Sequence, residues 1–298
     1  MGEMRQGTKS EQARAQLVAA LRATHTIGTD HVANAFLQVP REVFVPVFYE
    51  QERSTGYPWM PRSRDWYPTE DAWLDAIYRD EPLVTLVDQY NVPISSSSAP
   101  SVMAMMLEAS KVRLGMRVLE IGTGSGFNTA LLATLNHCPE LVYTIDVEET
   151  LVHLAKQRLH THIGPIVTHV GDGRLGFPTE SLQYECILAT ASAPEIPAAW
   201  YGQLAPGGRL ILPLQGMLNQ GSFLIIEKDA HGNARGWFDA RSLHFMPLRA
   251  TTTVPVHSIG SCFNSRSHSV SNSLMMRRRQ HCLAAETSTG FCNGSVLT

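Results

Sequence analysis

Through the middle of the chain, short apolar runs of strand character take turns with segments whose apolar positions recur at helical spacing. "RVLEIG" (117–122) reads as a strand, "FNTALLATLN" as a helix, "LVYTID" as a strand and "EETLVHLAKQRLHTH" as a helix. "IVTHVG" and "YECILAT" are again strand-like, "IPAAWYGQL" helical and "GGRLILPL" strand-like. Strands separated by helices in this order predict βαβ units and a mostly parallel sheet. Two further extended runs flank the turn "DAHGN" and predict an antiparallel hairpin that closes the sheet. Upstream, "EQARAQLVAALRA" and "TDHVANAFLQVP" have helical spacing, the second with a Thr/Asp start and a proline stop. Residues 41–90 are rich in Pro, Tyr, Trp and charge, with weak periodicity, and "STGYPWMPRSRDWYP" has the chemistry of a loop. "SAPSVMAMMLEASKV" returns to a helix whose Met and Leu side chains suit a core.

The expected architecture is a doubly wound, Rossmann-like α/β sheet ending in an antiparallel hairpin. Residues 1–90 form N-terminal helices and a cover, 91–250 the main domain, and 251–298 a Ser-rich tail with little packed structure. At 298 residues and 44% hydrophobic the chain is long enough for a full core. Twenty-four Lys and Arg against 27 Asp and Glu leave a formal charge of −3, which disfavours nucleic acid and acidic lipid as partners. Five cysteines without a CxxC pair argue against a disulfide framework or a zinc site, and fit a reducing, cytoplasmic setting. No apolar run is long enough to span a membrane. The scattered histidines, among them His153, His160 and His162, have no ligand spacing, so no metal is expected. Oligomeric state is left open.

In open α/β sheets ligands sit beyond the carboxyl ends of the strands, so the turn after the first strand is the place to look. It reads Glu120-Ile121-Gly122-Thr123-Gly124-Ser125-Gly126. A dinucleotide fingerprint has its third glycine one residue later, at the helix start that receives a pyrophosphate. The earlier glycine suits a ligand without phosphate, and S-adenosylmethionine is one; a tight turn that binds nothing is the alternative. Asp146, at the end of the next strand and followed by Val147, is placed to accept from two ribose hydroxyls, or equally to cap the following helix. Asp172 and Gly173, after the third strand, are placed to receive an adenine amine, or form a plain Asp-Gly turn. Ser125 belongs to the glycine turn and makes no nucleophile elbow.

"GMRVLEIGTGSGFNTALLATL", "VYTIDVEETLVHLAKQRL", "VGDGRLGFP" and "ATASAPEIPAAWYGQLAPGGRLILPL" resemble, in order and spacing, the protein-L-isoaspartate O-methyltransferases. "VANAFLQVPREVFVP" and "IYRDEPL" are similar too, so the resemblance covers roughly residues 32–248. It implies a Rossmann-like class I S-adenosylmethionine-dependent methyltransferase, with Glu120, Gly122, Thr123, Gly124, Gly126, Asp146, Val147, Asp172 and Gly173 at the cofactor. It further implies a peptide or protein substrate, held by Ser97, Ser98, Pro100 and Ala191. In the family an Ile-Ser-x-Pro motif sets a serine at the acceptor carboxylate, and alignment on Pro100 gives that role to Ser98.

Two departures matter. The family's glutamine three residues earlier is Ser95 here, and the serine run with a late "FMPLR" looks more like relatives that act on ribosomally made peptides. That resemblance implies an ordinary aspartate as acceptor and an aspartimide (succinimide) as the end product. General repair of isoaspartyl residues is the nearest rival, and a non-catalytic peptide-binding relative a more distant one.

Overall fold

The computed structural model describes residues 7–51, 58–179, 181–215 and 221–250, together with the backbone of 283–285. Helix α1 (Lys9–Ala23) starts at a capping box, in which Thr8 accepts from the Glu11 amide and Glu11 accepts from the Thr8 amide. Helix α2 (Asp30–Gln38) is capped by Thr29. After the single turn α3 (Arg41–Phe44) come strands β1 (Val47–Gln51) and β2 (Trp59–Ser63), then helix α4 (Glu70–Tyr78), capped by Thr69. Strands β3 (Leu83–Val87) and β4 (Pro93–Ser97) follow, and all four strands make an antiparallel sheet in the order β2-β1-β3-β4.

This small sheet corrects the expectation of a loop-like cover. Its apolar residues are few and pack as an aromatic cluster: Phe48 stacks on Trp73 with ring centroids 5.7 Å apart, and Tyr67 lies 5.4 Å from the same indole. The cluster is built from residues far apart in sequence, and therefore leaves no local periodicity. Of the three tryptophans in this region, Trp73 is buried, Trp66 is exposed under the Arg62 guanidinium, and Trp59 lies between.

Next comes α5 (Pro100–Ser110), whose Pro at the first helical position lacks an N–H where none is needed. The chain continues with β5 (Val118–Ile121), α6 (Phe127–Asn136), β6 (Val142–Asp146), α7 (Glu149–His162), β7 (Val167–Val170) and β8 (Tyr184–Ala189). Helix α8 (Ala198–Gln203) leads into β9 (Leu204–Gln215), β10 (Gly221–Lys228) and β11 (Ala234–Ser242). With a last strand β12 (Leu283–Ala285), the sheet runs β12-β11-β10-β9-β8-β5-β6-β7, with β9, β8, β5, β6 and β7 parallel and the far edge antiparallel. Strands β5 and β8 are buried at every position except Glu185, as a sheet covered on both faces requires.

The expected hairpin is β10–β11. Strand β12 (Leu283–Ala285) was not expected: it pairs with β11 and extends the sheet beyond the point, near residue 248, where the sequence suggested it was complete. The rest of the Ser-rich tail lies outside the described residues. Among those residues no helix is long and apolar enough to cross a membrane.

Candidate functional site

The chain winds from β5 to β6 and β7 on one side, then returns to β8 on the other, so strand order reverses between β5 and β8. A crevice opens at the carboxyl ends of a sheet at such a point. The turn after β5 sits in it. Gly122 has φ +102°, and a Cβ there would lie 2.3 Å from the hydroxyl of Thr190, which follows β8. Thr190 donates to the Gly122 carbonyl at 2.8 Å and so pins the two strand ends together. Gly124, at φ +49°, faces the other way: its missing Cβ would point at the Ser95 hydroxyl (3.7 Å) and the Ser96 carbonyl (3.9 Å) across a cavity.

That cavity encloses about 100 Å³ and opens to solvent. The serine strand β4 forms one wall and the turn Gly122–Ser125, with Asn128, the opposite one. Asp146, Val147, Gly173, Thr190 and Ala191 lie at its base, and the segment Phe245–Arg249 closes it from the hairpin side. Met103 and Met106 of α5 supply apolar lining.

Of the residues singled out in the sequence, Ser97, Ser98, Gly122, Thr123, Gly124, Asp146, Val147, Gly173 and Ala191 reach this cavity. Four do not. Glu120 is fully buried beneath the turn, where it accepts from Asn128 Nδ2 at 2.8 Å, from Thr144 at 2.7 Å, and from Thr129. Thr123 meets Thr144 at 2.8 Å, so the turn, β6 and α6 are joined through one carboxyl group. Burial pushes the Glu120 pKa up to about 7, and the surrounding donors oppose that rise. Glu120 therefore supports the turn instead of touching a ligand. Gly126 is the N-cap of α6 at φ +86°, and a Cβ there would press on Ala155 of α7 at 3.1 Å; it is a packing glycine. Pro100 is buried at the start of α5. Asp172 is engaged by Arg174 through Nε at 3.0 Å and Nη2 at 2.5 Å, and this partner holds its carboxyl below the usual range.

Asp146 sits at the base of the cavity with a backbone amide on each oxygen, Gly124 at 2.9 Å and Glu148 at 3.0 Å. It caps no helix, since the N-cap of α7 is Glu148. Each carboxylate oxygen can accept twice, so capacity for ligand hydroxyls remains. Burial raises its pKa, and the two amides counter the rise.

On the opposite wall, Ser95 accepts from Thr85 at 3.2 Å and Ser97 from Arg41 at 3.4 Å. Among the described residues the hydroxyl of Ser98 has no protein partner. Arg41 holds this strand in place. Its guanidinium is fully buried and donates to the carbonyls of Ile77 (2.8 Å), Arg79 (3.2 Å), Glu81 (3.2 Å), Ser97 (3.4 Å) and Ser98 (3.0 Å). With five carbonyls around it and no carboxylate in contact, burial lowers its pKa to about 9.

Sequence reasoning did not single out Arg41, Asn128, Thr190 or the Phe245–Arg249 segment. "VPREVFVP" and "FMPLR" stood out only as likenesses, because their partners are distant in the chain. Arg249 donates to Glu148 at 2.7 Å and to the Ile94 carbonyl at 3.2 Å, and so ties the segment across the cavity. Beside it the Leu248 amide donates to the Ser192 carbonyl and the Ser192 amide to the Met246 carbonyl.

A solved protein-L-isoaspartate O-methyltransferase is 28% identical, with TM-score 0.63, over 80% of this chain and 66% of its own. A structure from Plasmodium falciparum, described as a candidate protein-L-isoaspartate O-methyltransferase and holding S-adenosyl-L-homocysteine, has the same fold (19% identity, TM-score 0.57, 82% and 99% covered). Together with the cavity at the switch point, these define a Rossmann-like S-adenosylmethionine-dependent methyltransferase. The family description "Protein-L-isoaspartate(D-aspartate) O-methyltransferase" matches residues 60–252. A protein-L-isoaspartate O-methyltransferase of Pyrococcus horikoshii is 38% identical over 199 residues, 66% of this chain and 75% of that one. The chain belongs to this family and is an O-methyltransferase.

The site's residues fit the cofactor. The turn is bare where a Cβ would fill the cavity, Asp146 offers acceptors at the end of the second strand, and the buried Asn128 oxygen lacks a partner.

Proposed function

We propose that this cavity methylates the side-chain carboxylate of an isoaspartyl or aspartyl residue presented by a peptide. The observation that carries the reading is β4, whose serines stand across the cavity from the glycine turn with the Ser98 hydroxyl uncommitted. S-adenosylmethionine supplies an electrophilic methyl group when bound. The residues proposed to hold it are Gly122, Thr123, Gly124, Asp146, Val147 and Gly173, with Glu120 and Gly126 shaping the turn from behind.

A carboxylate with an ordinary pKa of about 4 is already ionised at neutral pH, so no general base is required. The work left to the protein is alignment. Ser98 donates to the acceptor carboxylate, while Arg41, gripping the Ser97 and Ser98 carbonyls, fixes where that hydroxyl stands. Ser97 and Ala191 line the acceptor side, and Pro100 sets the start of α5 behind them. The ester formed has a better leaving group than the acid. Attack by the following backbone nitrogen on the ester carbonyl expels methanol, which takes the amide proton, and closes a succinimide.

Two substrates fit this chemistry. The serine in place of the family's glutamine at Ser95, and Arg249 on the cavity wall, favour a dedicated peptide, ribosomally made and methylated at aspartate. The names of the relatives favour general repair of isoaspartyl proteins. Mass spectrometry after incubation with S-adenosylmethionine and, separately, an isoaspartyl peptide, its aspartyl counterpart and a peptide encoded beside the gene distinguishes them. Methyl ester or succinimide only on the last supports the dedicated role, product on any isoaspartyl peptide supports repair, and no product on any overturns the proposal.

A further inference from the structure

Asn128 occupies the second position of α6, on the cavity wall opposite the serine strand, and only 8% of it is exposed. Its Nδ2 donates to Glu120 Oε1 at 2.8 Å, which turns Oδ1 away from that carboxyl group. The Oδ1 atom is left buried without a hydrogen-bond partner among the described residues. A buried acceptor left unmade costs about 1–3 kcal/mol, so such an atom in a binding wall calls for a donor brought by the ligand.

The surroundings specify which donor. Helix α6 runs ten residues from Phe127, and its amino end carries the positive pole of its dipole into the cavity, which favours a carboxylate there. An α-amino acid places an ammonium group one carbon from its carboxylate. An ammonium has three donors and no acceptor, and Asn128 Oδ1 is an unused acceptor on that same first turn.

We infer that Asn128 Oδ1 accepts from the α-ammonium of the amino-acid portion of S-adenosylmethionine, making Asn128 a cofactor-selecting residue that distinguishes ligands with this group from those without it. The inference rests on the cofactor assignment. The test uses two probes, S-adenosylhomocysteine and 5′-methylthioadenosine, which keeps the adenosine and sulfur but lacks the amino acid. Calorimetry on wild type and Asn128→Leu is expected to show a 10- to 100-fold loss of affinity for the first probe, the scale of a lost hydrogen bond to a charged group, and less than about twofold for the second. Asn128→Ser, too short to reach, is measured alongside with the same expectation, so that a leucine variant that does not fold leaves the comparison intact. Equal losses for both probes would make Asn128 merely structural, and unchanged affinity for both would leave its oxygen without this role; either result overturns the inference. Wild-type protein that bound neither probe would overturn the cofactor assignment and the inference with it.

Discussion

At the glycine turn, three residues of one type do three different jobs. Gly122 is fixed by the Thr190 hydroxyl, Gly126 by packing on α7, and Gly124 turns its missing Cβ toward the serine strand. Gly124→Val is therefore expected to fold, with about 1–3 kcal/mol of backbone strain at its positive φ, and to abolish binding of S-adenosylhomocysteine in calorimetry. Unchanged affinity in a folded variant would remove this loop from the site. Glu120 makes a pH prediction. Its folded pKa of about 7 lies above its ordinary 4.5, so the folded state holds the proton longer than the unfolded chain. Its contribution to stability is complete below 4.5 and is lost as pH rises to about 7, an effect of roughly 3 kcal/mol. Denaturant titrations at several pH values should show this decline in wild type and a flatter profile in Glu120→Gln. Identical slopes in both would contradict the assignment of the shift to Glu120. The E-x-G-x-G-x-G spacing was readable in the sequence, but not which of its residues reach the cavity, because that depends on what β8 and α7 place behind each one.

Among the elements, the parallel strands and their helices were readable because each carries an uninterrupted local pattern. The small sheet β1–β4 was not: its strands are short and partly polar, and its buried Phe48 packs on Trp73, far away in sequence. The same reasoning separates the two acidic candidates. Asp146 ends β6 at the cavity base, whereas Asp172 lies two residues past β7, turned toward Arg174, a partner that the Asp-Gly-Arg sequence offers locally. Asp146→Ala is expected to weaken cofactor binding by about 1–3 kcal/mol, the range for hydrogen bonds to a charged group. Part of that loss would come through the freed Gly124 amide. Loss of thermal stability with full affinity in calorimetry would assign Asp146 to the turn alone.

Over the whole molecule, the small sheet and the large one meet at the cavity, the first supplying β4, clamped by Arg41 of α3, the second the glycine turn. The family match ends at residue 252, and among the described residues beyond it the three of β12 pair with the sheet. Deleting residues 258–298 is thus expected to leave cofactor affinity unchanged in calorimetry and to lower the melting temperature by no more than a few degrees, since the strand lost is three residues at an edge. Cooperative unfolding on deletion would show that the tail belongs to the core. The central claim is that transfer occurs where the serine strand of the small sheet faces the turn. Its most direct test is single-turnover methyl transfer to a peptide already shown to be a substrate, by wild type and by Ser95, Ser96, Ser97 and Ser98 each replaced with alanine, with S-adenosylhomocysteine affinity measured on each. Ser98→Ala should transfer about 10- to 1000-fold more slowly, the scale for losing one positioned donor, with affinity near wild type. Full transfer rates in all four variants would place the acceptor elsewhere and contradict the account.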